Sequence, residues 1–297
     1  MINFLGLEIP LYGLLFFSGI LIAGVLGLVI AIKRKIDLFD FFAVIAYVLI
    51  GAILGAKLLF IAVSWDQIQG LPLEDILKGG FVFYGGLIGG ALGLLIYHLQ
   101  YKVDFWQFAD LFTLLVPLGH AFGRIGCLLG GCCYGMEYHG PLSIVYGEDT
   151  LNWLTPRGVP LFPVQAVESA CLLVLFGVLC LLVRNPKFKQ QPGACTAGYA
   201  VGYSIIRFVL EFFRGDSERG GFLGISTSQW VSIAIVLAIG AWATWMILKK
   251  KKAAQAATAV EAVACDEAAP AAEMAVEEIA EVEQVNTEIV SEEKEQA

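Results

Sequence analysis

The sequence predicts an all-α integral membrane protein of about seven transmembrane helices, N-terminus outside and C-terminus cytoplasmic. Three observations carry this. The 297 residues are 58% hydrophobic and 15% charged, with a mean hydropathy of +0.75, where soluble domains are about 45–50% apolar and about 25% charged. Apolar runs near the ~20 residues needed to cross a bilayer recur along the chain. Lysine and arginine then fall in alternate loops, which orients the spans with the basic loops in the cytoplasm.

The runs are taken in order. Leu11–Ile32 is closed by Lys33, Arg34 and Lys35, and Phe41–Val63 carries Lys57. Phe81–Leu99 is glycine-rich, and Phe105–Leu118 is shorter and holds Asp110 and Pro117. An irregular polar stretch is expected over 119–163. Val164–Val183, Ala194–Phe213 and Ile225–Leu248 complete the count, the last closed by Lys249–Lys252. Lys33–Lys35, Lys102, Arg184, Lys187, Lys189 and the final lysines share one side. The loops at 64–80, 119–163 and 214–224 share the other, the outer one. No basic segment precedes the first run, so no cleaved signal peptide is expected.

The net charge of −8 belongs to the C-terminal end. Residues 253–297 hold twelve acidic residues and one lysine, which leaves the rest of the chain at +3. The division is therefore a membrane domain over 1–250 and an acidic, disordered cytoplasmic tail over 251–297.

Charges at membrane depth mark where function lies. Arg124 stands between Gly123 and Gly126, in a stretch whose glycines should loosen the backbone. Arg207, Glu211 and Arg214 recur at i, i+4 and i+7, one helix face. Glu211 bridging two arginines is a structural reading of that face; snorkelling to bulk phosphates is another for either arginine alone. Arg124 and Arg214 together point to an anionic headgroup site near the outer leaflet, because a guanidinium forks onto phosphate. In the third run, Gly85, Gly89 and Gly93, with Gly86 and Gly90, form a small-xxx-small pattern for close helix packing.

The seven cysteines contain no CxxC. Cys171, Cys180 and Cys195 sit in apolar runs as small hydrophobes, and Cys265 lies in the tail. Cys127, Cys132 and Cys133 form a separate cluster facing outside, where oxidation is available. A thiol-exchange site and a mildly polar patch in a lipid cavity both fit it. If oxidised, 127–132 or 127–133 is the less strained pair. Metal binding with His120 or His139 lacks ligand spacing, so no metal and no cofactor are expected.

The chain resembles the bacterial prolipoprotein diacylglyceryl transferases over roughly residues 8–250. The resemblance rests on Leu11-Tyr12-Gly13, on Ile50-Gly51-Ala52-Ile53-Leu54-Gly55-Ala56-Lys57 and on Tyr84-Gly85-Gly86-Leu87-Ile88-Gly89. It continues through Gly123-Arg124-Ile125-Gly126, Gly131, Gly135, Pro163-x-Gln165-x-x-Glu168 and Arg207-x-x-x-Glu211-Phe212-Phe213-Arg214-x-Asp216. It implies a multi-pass enzyme of the bacterial cell membrane that moves diacylglyceryl from phosphatidylglycerol to a lipobox cysteine thiol in secreted prolipoprotein precursors. Its partners are then phosphatidylglycerol, those precursors and membrane lipids, with no nucleic acid.

The resemblance also implies roles. Arg124 and Arg214 hold the phosphate. Tyr12, Gln165, Glu168 and Glu211 line or brace the cavity, with Gly126 and Gly135 allowing close approach. Tyr84 stands where the family places a histidine before Gly-Gly-Leu, and takes the catalytic position with the two arginines. Cys127, Gly130 and Cys132 replace family residues Asn, Asn and Glu, and Lys57 stands where an arginine is common. His120 reads as a structural histidine. A thiol-active enzyme using the cysteine cluster and a non-enzymatic anionic-lipid-binding or transport protein are the alternatives on the same scaffold.

Overall fold

The computed structural model describes residues 2–4, 7–9, 11–148, 150, 152, 154–215, 221–252 and 255; the side chains of residues 2–12, 187, 189, 221 and 222 are outside the description. Asp216, Cys265 and nearly all of the acidic tail therefore lie outside the described residues, as does the Tyr12 side chain. Among the described residues seven helices are longer than two turns: α1 Leu11–Lys33, α2 Leu38–Val63, α3 Phe83–Tyr101, α4 Phe105–Gly130, α5 Val164–Leu182, α6 Ala194–Leu210 and α7 Thr227–Lys252. Five of them, α1, α2, α4, α5 and α7, are long and apolar enough to cross a membrane. The chain divides into a unit Met1–Val236, which holds α1–α6 and the start of α7, and a unit Leu237–Ala297.

The first unit is inverted relative to a water-soluble protein. Phe17, Leu21, Leu58 and Val174 on the helix exteriors are each more than 60% exposed, while Gln165, Glu168, Ser169, Ser204 and Arg207 are buried. An apolar exterior around a polar interior suits lipid as the solvent, since the exposed side chains meet hydrocarbon and the polar groups find partners inside.

Helix α4 is the hub, touching α1, α3, α5 and α6. Asp104 caps its start, accepting from the backbone N–H of Trp106 and Gln107 at 2.9 and 3.2 Å. Further along, Asp110 caps the neighbouring helix. Its carboxylate accepts from the N–H of Gly193 and of Thr196 at 2.9 Å each, and from Thr196 Oγ1 at 2.8 Å. An acidic group at a helix N-terminus satisfies orphan donors and the dipole at once, so Asp110 fixes where α6 begins.

The expected irregular stretch from 119 is corrected here. Helix α4 runs on without a break through Pro117, Gly119, Gly123 and Gly126 to Gly130. Gly126 is buried, and Gly19 of α1 lies so close to α4 that a methyl there would meet the Phe122 side chain. The close approach is thus made by the glycine of α1, while Gly119 and Gly123 of α4 face α1 at ordinary contact distance, 3.8 Å.

Helices α2 and α3 form the tightest pair. A methyl built on Gly51 would collide with the Gly89 carbonyl, one on Gly55 with the Gly85 carbonyl, and one on Gly93 with the Tyr47 carbonyl. Gly85, Gly89 and Gly93 are thus the contact stripe expected of small-xxx-small packing. Gly86 and Gly90, by contrast, meet α2 at ordinary contact distance, 3.5 Å and beyond. We expect Gly89→Val to destabilise the protein by about 1–3 kcal/mol, the overpacking range. Gly86→Ala should be tolerated. Thermal unfolding of the two variants in detergent separates them.

Lys57, in α2, is fully engaged. Its Nζ donates to the carbonyls of Ile76, Gly79 and Gly80 at 3.1, 2.9 and 3.3 Å and lies over the rings of Phe60 and Phe81. Two of those carbonyls lie at the C-terminal end of the short helix Leu73–Lys78. The lysine therefore ties the loop between α2 and α3 to α2, and three donors on one ammonium suit three carbonyls.

Candidate active site

The site forms where the end of α4, the start of α5 and the end of α6 meet. Pro163 leads into α5, and Gln165, Glu168, Ser169 and Leu172 follow at helical spacing on its buried face. Glu168 is fully buried and pairs with Arg124 of α4, Oε1 to Nη2, at 3.0 Å. The same oxygen accepts from Tyr203 Oη of α6 at 3.2 Å. Tyr203 stacks on Tyr199 and meets the edge of His120, with ring centres 5.9 and 5.1 Å apart. Ser169 Oγ donates to the Ala121 carbonyl at 3.0 Å, which locks α5 against α4.

The charges do not cancel group by group. Arg124 Nε and Glu168 Oε2 are buried and have no hydrogen-bond partner among the described residues. A buried charged donor left without an acceptor is costly, and it marks a position that a ligand oxygen would satisfy.

Arg207 lies one turn beyond Tyr203. It pairs with Glu211 at 2.5 Å and donates to Ser228 Oγ at 3.1 Å. The expectation that Arg207, Glu211 and Arg214 share one helix face is corrected. The α-helix ends at Leu210, a 3₁₀ turn covers Glu211–Phe213, and Arg214 is extended. What places Arg214 is strand-like pairing. Gly135 bridges Arg214 in antiparallel fashion, Met136 N–H donates to the Phe213 carbonyl at 2.9 Å, and Gly215 N–H to the Tyr134 carbonyl at 3.2 Å. On its other edge the same segment pairs with 160–162. Gly135 is required there, because a methyl would strike the Phe162 carbonyl.

Between Arg124 and this segment lies the cysteine turn. Gly131 ends α4 in the left-handed conformation, and both its N–H and that of Cys132 donate to the Cys127 carbonyl. Cys133 is left-handed as well, with φ +59°. Three carbonyls of the turn are held by buried or half-buried side chains. Tyr146 Oη donates to Leu128, Thr155 Oγ1 to Gly131 and Gln165 Nε2 to Cys132, at 3.0, 2.5 and 2.8 Å. Gln165 Nε2 also reaches Tyr146 Oη at 3.3 Å.

The thiols beyond the helix end share protons unequally. Hydrogen bonds from Cys127 and Cys132, and then the Arg214 guanidinium, hold the Cys133 thiol below its ordinary range. Hydrogen bonding with Cys127 and Cys133, together with burial, pushes the Cys132 thiol above it. The charge of Arg124 also bears on Cys127 and Cys133. Two arginines from different parts of the chain thus converge on one turn, beside a carboxylate and two tyrosines.

The family profile of prolipoprotein diacylglyceryl transferases matches residues 1–246. The chain belongs to this transferase family. It is 37% identical over 235 residues to phosphatidylglycerol–prolipoprotein diacylglyceryl transferase 2 of Clostridium perfringens (strain 13 / Type A), covering 78% of this chain and 89% of that protein. Over 234 residues it is 35% identical to phosphatidylglycerol–prolipoprotein diacylglyceryl transferase of Clostridium tetani, covering 78% and 91%. A Synechocystis relative of that name is 32% identical over 254 residues, covering 83% and 88%. With five helices apolar enough to span, this family member is a multi-pass membrane protein.

Within the transferase fold, the structure brings Arg124, Glu168, Gln165, Gly126, Gly135 and Arg214 into one neighbourhood, with Cys127, Cys132 and Cys133 among them. Glu211 is there too, as the partner of Arg207. Tyr84 is not. It occupies the first turn of α3, is 39% exposed, and its ring meets Phe83. No hydrogen bond, ion pair or ring contact joins it to either arginine among the described residues. Tyr12 is on the first turn of α1, with its side chain outside the described residues. Sequence reasoning missed Tyr146, Thr155, Tyr199 and Tyr203. Each is a common residue in an unpatterned position, and only the fold shows what its hydroxyl or ring meets. Of the two pairings open to oxidation neither is formed: Cys127, Cys132 and Cys133 make no disulfide among the described residues.

Proposed function

We propose that this chain transfers the diacylglyceryl group of phosphatidylglycerol to the lipobox cysteine thiol of secreted prolipoprotein precursors, releasing glycerol phosphate. The observation that carries it is the unpartnered, buried Nε of Arg124 in a site that Arg214 also enters. A phosphodiester with one negative charge becomes a monoester with two as the carbon–oxygen bond breaks. Preorganised guanidinium donors gain most where that charge develops. Glu168 orients Arg124 and offsets part of its charge until the phosphate arrives. Gln165 keeps the turn between the arginines in place. Tyr84, exposed and against Phe83, is assigned no proton transfer.

In this reading all seven helices cross the membrane, the N-terminus is outside and the C-terminus is cytoplasmic. The basic clusters support it. Lys102 precedes the start of α4 and Lys33–Lys35 the start of α2, whereas the site lies at the far end of α4. The site then opens to the outer leaflet, where secreted precursors arrive. Residues 1–250 form the transferase domain, and 251–297 a separate acidic tail.

Expression in bacteria depleted of their own transferase tests the proposal. We expect growth to be restored and a lipobox peptide to gain the mass of a diacylglyceryl group in membranes holding the chain. Normal membrane levels with neither effect would overturn it.

A further inference from the structure

The sulfurs of Cys127, Cys132 and Cys133 play no part in the mechanism above. Yet their Sγ atoms all lie within 4.8 Å of one another, each cysteine is half-buried, and none is in a disulfide. The C-x4-C-C spacing is not a familiar zinc pattern. It is the backbone that gathers the three. Cys127 closes the last turn of α4, Gly131 reverses the chain, and Cys133 turns it again at positive φ. A left-handed cysteine costs about 1–2 kcal/mol, and such strain persists where the surroundings over-determine it. Tyr146, Thr155 and Gln165 provide that constraint by gripping the carbonyls of the turn.

Three thiolates around a cation at about 2.3 Å place their sulfurs roughly 3.8–4.0 Å apart, so small side-chain rotations close the site. Charge agrees as well. Three thiolates and a dication leave one negative charge, and both Arg124 and Arg214 bear on the cluster.

We propose that Cys127, Cys132 and Cys133 form a three-thiolate site for a soft divalent cation, zinc first, whose open fourth position binds the thiol of the incoming lipobox cysteine. The cation site stands on the sulfurs alone; the identity of the fourth ligand rests on the transferase reading. Catalytic zinc sites keep three protein ligands and one open position, and a coordinating thiol gives up its proton. The precursor thiol displaces a water from the cation, and its proton passes to solvent at the outer face. The sulfur lone pair then forms the S–C bond to the glyceryl carbon. The C–O bond breaks, and its electron pair leaves on the phosphate of glycerol phosphate, held by the two arginines. The thioether product is neutral, binds the cation weakly and departs. The cation is neither oxidised nor reduced, and no protein base is needed.

The test uses the full chain, purified in detergent with phosphatidylglycerol. Elemental analysis should find one zinc per chain, also in Cys180→Ser, whose thiol lies elsewhere on α5. The triple variant Cys127→Ser/Cys132→Ser/Cys133→Ser should hold about tenfold less or lower. Cobalt loaded into the unaltered chain should give thiolate-to-cobalt absorption, and a lipobox peptide with cysteine, not serine, should shift it. Because a variant can misfold, the unaltered chain is also stripped by chelator, and transfer should fall about tenfold or more and return with zinc. No metal retained after zinc is offered overturns the site. A cobalt spectrum unmoved by the cysteine peptide overturns the fourth ligand, and full transfer by the stripped chain overturns the role in the reaction. Zinc bound through the three cysteines without transfer to any precursor would instead overturn the transferase reading and leave the metal site standing.

Discussion

Arg214→Ala is expected to lower diacylglyceryl transfer about 10²–10³-fold, the loss that follows removal of one preorganised donor to a developing anion. The loss should fall on kcat as well as kcat/KM, because the second negative charge on the phosphate exists only once the bond has begun to break. Arg214→Lys should recover only part, since an ammonium keeps the charge and loses the planar fork. The segment that carries Arg214 is held through backbone bonds, Met136 N–H to the Phe213 carbonyl and Gly215 N–H to the Tyr134 carbonyl. Neither needs the side chain, so the thermal unfolding midpoint should move little. Initial rates with a lipobox peptide in phosphatidylglycerol micelles, read beside that midpoint, check both statements. Wild-type kcat in Arg214→Ala would remove Arg214 from the reaction.

The same residue shows where the sequence stops being readable. Apolar runs near 20 residues mark membrane helices because no other open element satisfies its backbone in lipid. The seven apolar runs accordingly fall on helices, and five of those helices are long and apolar enough to cross a membrane. The end of α4 was not legible in this way. Gly119, Gly123, Gly126 and Gly130 look like a break when judged by propensity in water, whereas in the structure the helix continues through them, with Gly119 and Gly123 facing α1. Arg124 was legible as a site residue, since a lone arginine among apolar residues has few structural uses. Its partner Glu168 is 44 positions away, and the pairing exists only because α5 lies along α4. Arg214 was legible too, but for the wrong neighbour. Helical spacing tied it to Glu211, while the structure turns the chain at Leu210 and pairs Arg214 with Gly135. Periodicity describes one element at a time and cannot see a two-residue bridge between segments nearly eighty positions apart.

The largest stability effect is expected at that long-range pair. Glu168→Ala should cost about 3–5 kcal/mol, because it leaves the Arg124 charge in the interior without its carboxylate. Glu168 is wholly buried, and the Arg124 side chain is only 15% exposed. Removing the carboxylate also takes away the acceptor of Tyr203 Oη. The expectation depends on breaking one half of the pair. When both halves are replaced by apolar groups of similar volume, the desolvation cost disappears along with the attraction, and stability is often regained. The double variant Arg124→Met/Glu168→Met should therefore unfold near the wild-type temperature, well above Glu168→Ala. Transfer should not return with stability, since the donor to the phosphate is gone. Unfolding in detergent and transfer rates on the same preparations distinguish the two properties. Active Arg124→Met/Glu168→Met would mean that the pair only holds α4 to α5. A double variant as unstable as Glu168→Ala would mean that the packing around Tyr199, Tyr203 and His120 depends on the charges themselves.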